Sequence, residues 1–243
     1  MNDAELARQL AATAGQLLVD LRLAELFRGE PLGALGDRLA NAFLMAALRQ
    51  HRPEDAILCE EETDSSARLG ASRIWIVDPL DGTREYGEGR ADWAVHVGLA
   101  IDGEAAIGAV ALPGLPLTLS SADVRAPPRR SAARLRLLVS RTRPAPEAAA
   151  VAAALDAELV PMGSAGAKAM AVVRGEADVY LHSGGQFEWD NCAPVAVARA
   201  AGLHVSRLDG RPLRYNQADT RLPDLLVCRA ELGARVIELA AGL

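Results

Sequence analysis

The chain has 243 residues, 50% of them hydrophobic, and a formal net charge of −6. That length and apolar content suffice for one large or two small folded cores, and the acidic balance argues against a nucleic-acid surface while permitting a local basic pocket. No stretch approaches the ~20 uninterrupted apolar residues of a membrane span, and "MNDAELARQLAATAGQ" at the N-terminus lacks the basic-then-apolar order of a signal peptide, so a cytoplasmic protein with no membrane partner is expected.

Leu6, Leu10, Ala14, Leu17 and Leu21 recur at helical spacing and predict a helix over residues 3–23; Leu39, Phe43, Leu44, Ala47 and Leu48 predict another over 38–49. "AILC" (56–59) and "RIWIVD" (73–78) read as short strands on either side of the acidic loop "EEETDSS". From Trp93 to Ser121 the pattern is a β-meander, with turns at Asp102–Gly103 and around Pro113 to Pro116. "DVRAPPRRSAAR" (123–134) is rich in Pro and Arg and poor in large apolar residues, which predicts an exposed loop and a boundary near residue 130. Beyond it, "RLRLLVS", "AELVPM", "ADVYLH", "GLHVS" and "DLLVC" read as strands, alternating with helical segments near 146–156, 166–174, 191–201 and 230–242. The expectation is an N-terminal α+β half over residues 1–130 and a layered α/β half over 131–243. Cys59, Cys192 and Cys228 are far apart and lack any CxxC spacing, so they read as packing residues, as do Trp75 and Trp93.

The chemistry concentrates in "RIWIVDPLDGTREYG" (73–87). A strand-like apolar run ends in Asp78 and Asp81, whose carboxylates can converge beyond the sheet edge with the Leu80 carbonyl between them. Such an all-oxygen set suits a hard divalent cation such as Mg²⁺, which completes its shell with water and substrate phosphate. Further acids follow another strand at Glu60, Glu61 and Glu62, and Asp190 stands at the apparent start of a helix in "FEWDNCAPVAVARAAG". Taken singly these have plainer readings: a solvated acidic loop, a helix N-cap, a turn. Yet a turn needs only one of the two aspartates, and carboxylates from three segments converging on one point would call for a cation. Gly82 would let backbone and phosphate approach closely. Of the 26 basic residues, Lys168 in "GSAGAKAM" is the single lysine; it is either a remnant of arginine bias or a position that needs a compact ammonium.

These stretches also carry a family resemblance. "WIVDPLDGTREY" resembles the D-P-x-D-G-T-x-x-(F/Y) signature of the inositol monophosphatase superfamily, and "EWDNCAPVAVARAAG" is similar to its second signature, W-D-x-x-A-(A/P) followed by a helix ending in A-G. "LCEEETDSS" resembles the family's Glu-Glu segment, with Cys59 and Glu62 where Gly and Ser are common. Glu85 in "DGTREY", the "GSAGAKAM" loop (similar to G-S-S-x-K with one residue inserted) and "DGRPLRYN" resemble the bisphosphate nucleotidase branch, closest to the CysQ-type 3′-phosphoadenosine 5′-phosphate phosphatases of actinobacteria.

The resemblance implies a five-layered αβαβα sandwich of the α/β class. It implies a Mg²⁺-dependent, lithium-sensitive phosphomonoesterase of sulfur metabolism that removes the 3′-phosphate of 3′-phosphoadenosine 5′-phosphate to give AMP and phosphate, and extends to the sulfated precursor. By resemblance, Glu60, Asp78 and the Leu80 carbonyl would bind one ion, Asp78, Asp81 and Asp190 a second, and Glu60 with waters a third. Thr83 would help activate the attacking water with Asp37, although the family's V-T-x-x-D lead-in to that acid is missing. Gly82, Thr83, Ser164, Lys168 and Tyr215 are the substrate-side candidates, within a segment running from Arg214 to Asn216 in the last case. His96 reads as structural, and His182 lies close enough in sequence to "GGQFEWD" to reach the site. The partner is a small phosphorylated nucleotide, and a homodimer is compatible with the resemblance. Two other functions remain open: an inositol-1-phosphate or fructose-1,6-bisphosphate phosphatase, and a catalytically silent module that senses a nucleotide.

Overall fold

A computed structural model describes residues 1–128 and 134–242. The first two helices, α1 (Asp3–Leu23) and α2 (Gly29–His51), pack side by side. Asn2 and Glu5 explain where α1 starts: the Asn2 side chain accepts from the Glu5 N–H at 2.9 Å and the Glu5 carboxylate accepts from the Asn2 N–H at 3.0 Å. α2 begins nearer the N-terminus than the apolar spacing over 38–49 suggests. Pro31 sits in its first turn, where no backbone donor is needed. Gly33 and Gly36 remain helical because the neighbours leave no room for a side chain: a Cβ on Gly33 would lie 2.7 Å from the Thr83 methyl, and one on Gly36 would lie 3.0 Å from Leu18 and Tyr86.

Against these helices lies a mixed sheet in the order β1 (Ala56–Cys59), β2 (Arg73–Asp81), β3 (Ala94–Ile101), β4 (Glu104–Leu112), β5 (Leu117–Ser120), in which β1 and β2 are parallel and the rest antiparallel. A five-residue helix, α3 (Thr83–Gly87), follows β2. The second sheet has the order β7 (Ala157–Met162), β6 (Leu135–Ser140), β8 (Val179–Phe187), β10 (Arg221–Cys228), β9 (His204–Ser206). Between the two sheets lie α5 (Ala165–Val173) and α6 (Glu188–Ala200), while α4 (Ala148–Ala154) and α7 (Gly233–Ala241) cover the outer face of the second sheet. Three buried clusters fill the spaces between layers: α1 and α2 on the first sheet, both sheets on α5 and α6, and the second sheet on α4 and α7. This is the αβαβα sandwich expected. Trp75, Trp93 and the three cysteines are buried packing residues. Residues 124–128 carry no regular element, and the boundary expected near residue 130 falls outside the described residues.

Two features of this framework place the chemistry. First, β2 does not stop at Asp78 as the strand pattern suggested; it runs on to Asp81 through a bulge, since Asp78 pairs with His96 and Asp81 with Ala94. The extra residue falls at Pro79–Leu80, where proline has no N–H to contribute to a ladder, and it re-aims the strand end. Second, Gly98 and Gly108 face each other across the β3–β4 pair and open a trough for the backbone of α6. A Cβ on Gly108 would lie 2.3 Å from the Ala193 carbonyl oxygen, and one on Gly98 would lie 3.0 Å from the Ala193 nitrogen. α6 thus rests directly on the sheet, which fixes the height of Asp190 in its first turn.

Gly108→Ala tests that close approach. Overpacking against backbone costs about 1–3 kcal/mol, so the variant should unfold at lower urea concentration; an unchanged midpoint would show that the trough is looser than described.

Candidate active site and metal centre

The bulge brings Asp78 and Asp81 to the same side of β2, and α6 delivers Asp190 to them: one carboxylate oxygen from each of the three lies within 4.8 Å of the others. Each is held differently. Asp78, 1% exposed, accepts from the Leu80 N–H at 3.0 Å, which closes the Pro79–Leu80 turn. Asp81 sits on the first turn of α5, accepting from the N–H groups of Ala165 at 3.1 Å and Gly166 at 2.7 Å and from the Ser164 hydroxyl. Asp190 accepts from the Phe187 N–H at 2.6 Å. Glu60 follows β1 at the solvent edge of the group, near enough for its charge to act on Asp78.

The electrostatics follow from that crowding. Burial pushes the Asp78 carboxyl well up, and the charges of Glu60, Asp81 and Asp190 push it further. Burial, then the charges of Asp190 and Asp37, raises Glu60 to about 7; burial, then Asp81, raises Asp190 to about 6. Asp81 alone goes the other way. Burial pushes it up, but contact with His96, the Ser164 hydroxyl and the Lys168 charge outweigh this and hold it at about 2. Several carboxyls are thus kept near one another at the cost of holding protons, and a divalent cation would displace those protons. The donor set, all oxygen and anionic, fits a hard cation.

Beside the acids, Thr83 Oγ1 donates to the Leu80 carbonyl at 3.1 Å and stands close enough to Asp37 to act on its carboxyl. The route by which Asp37 gets there is Gly33: the two lie one turn apart on α2, and the missing Cβ at Gly33 lets that face of the helix rest on Thr83. Asp37 is 9% exposed, and burial together with the Glu61 charge raises its carboxyl to about 7.

A polar cleft opens from the acids. Its N-terminal wall is Asp81, Gly82 and Glu85, and its other wall comes from residues 140–143, 163–168, 180–186 and Asp190. Gly82 adopts φ +92, and a Cβ there would lie 3.3 Å from the Asp92 carbonyl, Trp93 and Ser164, so glycine is needed both for conformation and for space. Ser164 and Lys168 line the cleft, but their polar atoms are engaged. The Ser164 hydroxyl serves Asp81 and caps Ala167 at 2.9 Å, while the Lys168 ammonium donates to the carbonyls of Met162, Gly163 and Ser164. Burial lowers the Lys168 ammonium to about 8.

Tyr215 is not brought to the cleft. It is fully buried, and its hydroxyl donates to Asn191 at 2.9 Å. Its neighbours have similar structural tasks: Arg214 pairs with Glu104 at 2.7 Å, and Asn216 links the Arg68 and Ala71 carbonyls to Glu188. His182 does line the cleft, with Nε2 3.1 Å from the Gly185 carbonyl.

The structure also gathers residues that sequence reasoning missed. Arg141 reaches across the cleft to Glu85 at 2.8 Å and Glu88 at 2.9 Å, and Arg143 stands exposed beside it. Asp92 accepts from the Gly163 N–H at 2.7 Å and anchors the loop into α5. "SRTR" offered only basic residues after a strand, with no indication that they would face Glu85.

Comparison with known proteins agrees with this geometry. The chain is 49% identical to the 3′-phosphoadenosine 5′-phosphate phosphatase of Mycobacterium leprae, with 96% of this chain and 91% of that one covered. It is 31% identical to the 3′(2′),5′-bisphosphate nucleotidase CysQ of Escherichia coli K12, covering 76% and 80%. Among solved structures, CysQ from Bacteroides thetaiotaomicron superposes with a TM-score of 0.82 at 25% identity, covering 94% and 97%.

The raised carboxyls set a pH dependence. Groups whose folded pKa lies above the unfolded one contribute stability at low pH and lose it as the pH rises through the folded value. Asp37 and Glu60 at about 7 and Asp190 at about 6 therefore make the metal-free protein lose stability between about pH 4 and about pH 7. Urea midpoints in EDTA should fall over that window and saturating Mg²⁺ should remove the fall; midpoints that rise with pH in EDTA would contradict the described crowding. The matching family profile, inositol monophosphatase, spans residues 5–239, and with the acids, the bulge and the fold in agreement, this chain belongs to the inositol monophosphatase family.

Proposed function

We propose that this chain is a Mg²⁺-dependent phosphomonoesterase that removes the 3′-phosphate of 3′-phosphoadenosine 5′-phosphate, giving AMP and phosphate. The observation that carries the reading is the convergence of Asp78, Asp81 and Asp190 beside a Thr83–Asp37 pair. Likeness to the 3′-phosphoadenosine 5′-phosphate phosphatase of M. leprae supports the choice of substrate.

In this reading Asp78, Asp81 and Asp190, with Glu60 and the Leu80 carbonyl, hold two or three Mg²⁺ ions. When bound, the ions supply acidity to water and neutralise phosphate oxygens. The chain's own part begins at Asp37. When protonated, it donates to Thr83, whose hydroxyl then turns to the Leu80 carbonyl. When ionised, it draws the Thr83 proton to itself and frees an Oγ1 lone pair for the attacking water. A carboxyl raised to about 7 is well matched to that exchange near neutral pH. As the water oxygen bonds to phosphorus and the bond to the ribose 3′-oxygen breaks, the water's proton passes through Thr83 to Asp37, and the departing oxygen is protonated from solvent.

Substrate is held between the two halves of the chain. Residues 1–130 supply Gly82 and Thr83, and residues 131–243 supply the wall carrying Ser164, Lys168 and Arg143. Lys168 acts there through its positive charge on the cleft wall, its donors being spent on the loop carbonyls. Tyr215 acts from behind that wall, through Asn191 and Gln186 to Tyr180. The setting is a small soluble substrate in the cytoplasm.

The test is phosphate release from 3′-phosphoadenosine 5′-phosphate, inositol 1-phosphate and fructose 1,6-bisphosphate, with and without Mg²⁺. A Mg²⁺-dependent preference of about tenfold or more for the nucleotide, about 1.4 kcal/mol in transition-state discrimination, is expected, and Asp81→Asn should abolish it. Preference for inositol or sugar phosphate would overturn the substrate assignment, and no release from any of them would favour a silent binding module.

A further inference from the structure

We propose that His96 is a positioning residue, a strut that holds the end of β2 and the start of α6 at metal-binding separation. The inference rests on the metal-dependent reading above, and concerns a side chain that touches neither substrate nor ion. His96 lies in β3 directly opposite Asp78 and is completely buried. Its Nδ1 is 3.0 Å from the carbonyl oxygen of Trp189, the residue immediately before Asp190. Its Nε2 is 3.1 Å from the Asp81 carboxylate, and Nδ1 is 4.0 Å from that of Asp78. One imidazole therefore meets both segments that carry the three aspartates, the end of β2 and the start of α6.

The contact with Asp81 is an ion-pair approach rather than an aligned hydrogen bond, so Nε2 is a buried polar atom aimed at the site without a bonded partner. Both neighbours, a carbonyl and a carboxylate, are acceptors, and the ring turns one nitrogen toward each. It cannot swing away. A Cβ on Gly166 would lie 2.0 Å from Nε2, which means that the first turn of α5, the same turn whose N–H groups hold Asp81, is pressed against the ring edge. A residue present only to fill space would need neither nitrogen so directed. Groups that orient metal ligands in this way typically change metal affinity 10–100-fold when removed.

Mn²⁺ titration of the full chain without substrate, followed by the electron paramagnetic resonance of the free ion, tests the strut. His96→Leu should bind Mn²⁺ about 10–100-fold more weakly than wild type, while KM for the nucleotide at saturating metal stays within a fewfold of wild type. Folded His96→Leu with wild-type Mn²⁺ affinity would overturn the proposal. If that variant does not fold, nitrogen-15 histidine spectra of the wild type decide: the His96 ring should shift as Mg²⁺ saturates the protein, and an unmoved His96 ring would overturn the strut. Failure of wild type itself to bind Mn²⁺ would overturn the metal reading as a whole, which separates the two claims.

Discussion

The rest of the structure depends on the electrostatic cost of gathering carboxyls at the meeting point of the two sheets. Two like charges about 4 Å apart repel by about 4 kcal/mol at an effective dielectric constant of about 20, against a total stability of about 5–15 kcal/mol for a typical domain. Asp78, Asp81 and Asp190 are nevertheless held together, with Glu60 and Asp37 beside them. The apo protein manages this by protonating some acids and by surrounding Asp81 with donors and positive charge. A divalent cation would replace those protons, so an ion bound there would also relieve the strain of assembling the site.

Close approaches at glycines, added to the packed clusters between layers, set this arrangement. Gly98 and Gly108 bring α6 onto the first sheet, Gly33 brings α2 onto Thr83, and Gly166 brings α5 onto His96. Each absent Cβ shortens the distance between a layer and the site. The acids therefore stand on rigid elements from three layers, and their separations are set by the packing of those layers. Such rigidity suits a reaction whose catalysis is mainly placement of charge.

Much of this was legible in the chain. Asp78, Asp81 and Thr83 sit in one short motif, and Asp190 heads a helix whose pattern is plain, so local sequence carried both segments. The elements beyond residue 134 fell close to expectation because strand runs and helical runs alternate cleanly there. What depends on tertiary contact was harder to read. The bulge at Pro79–Leu80 is a matter of register with β3, and the end of the apolar run at Asp78 ended the strand too soon. The early turns of α2 were hidden by Pro31, Gly33 and Gly36, which look like breakers until their neighbours are known. Tyr215 read as a substrate-side aromatic because it lies in a loop, yet its partner Asn191 comes from α6. His96 stood out as the one polar side chain within "WAVHVGLA", but only the β2–β3 register shows that it faces the acids.

The central claim is that the three aspartates form a cation site. Anomalous diffraction from crystals equilibrated with Mn²⁺ tests it most directly. The account predicts a peak bounded by carboxylate oxygens of Asp78, Asp81 and Asp190. A catalytically active crystal with no peak there, or with Mn²⁺ bound only elsewhere, would contradict it.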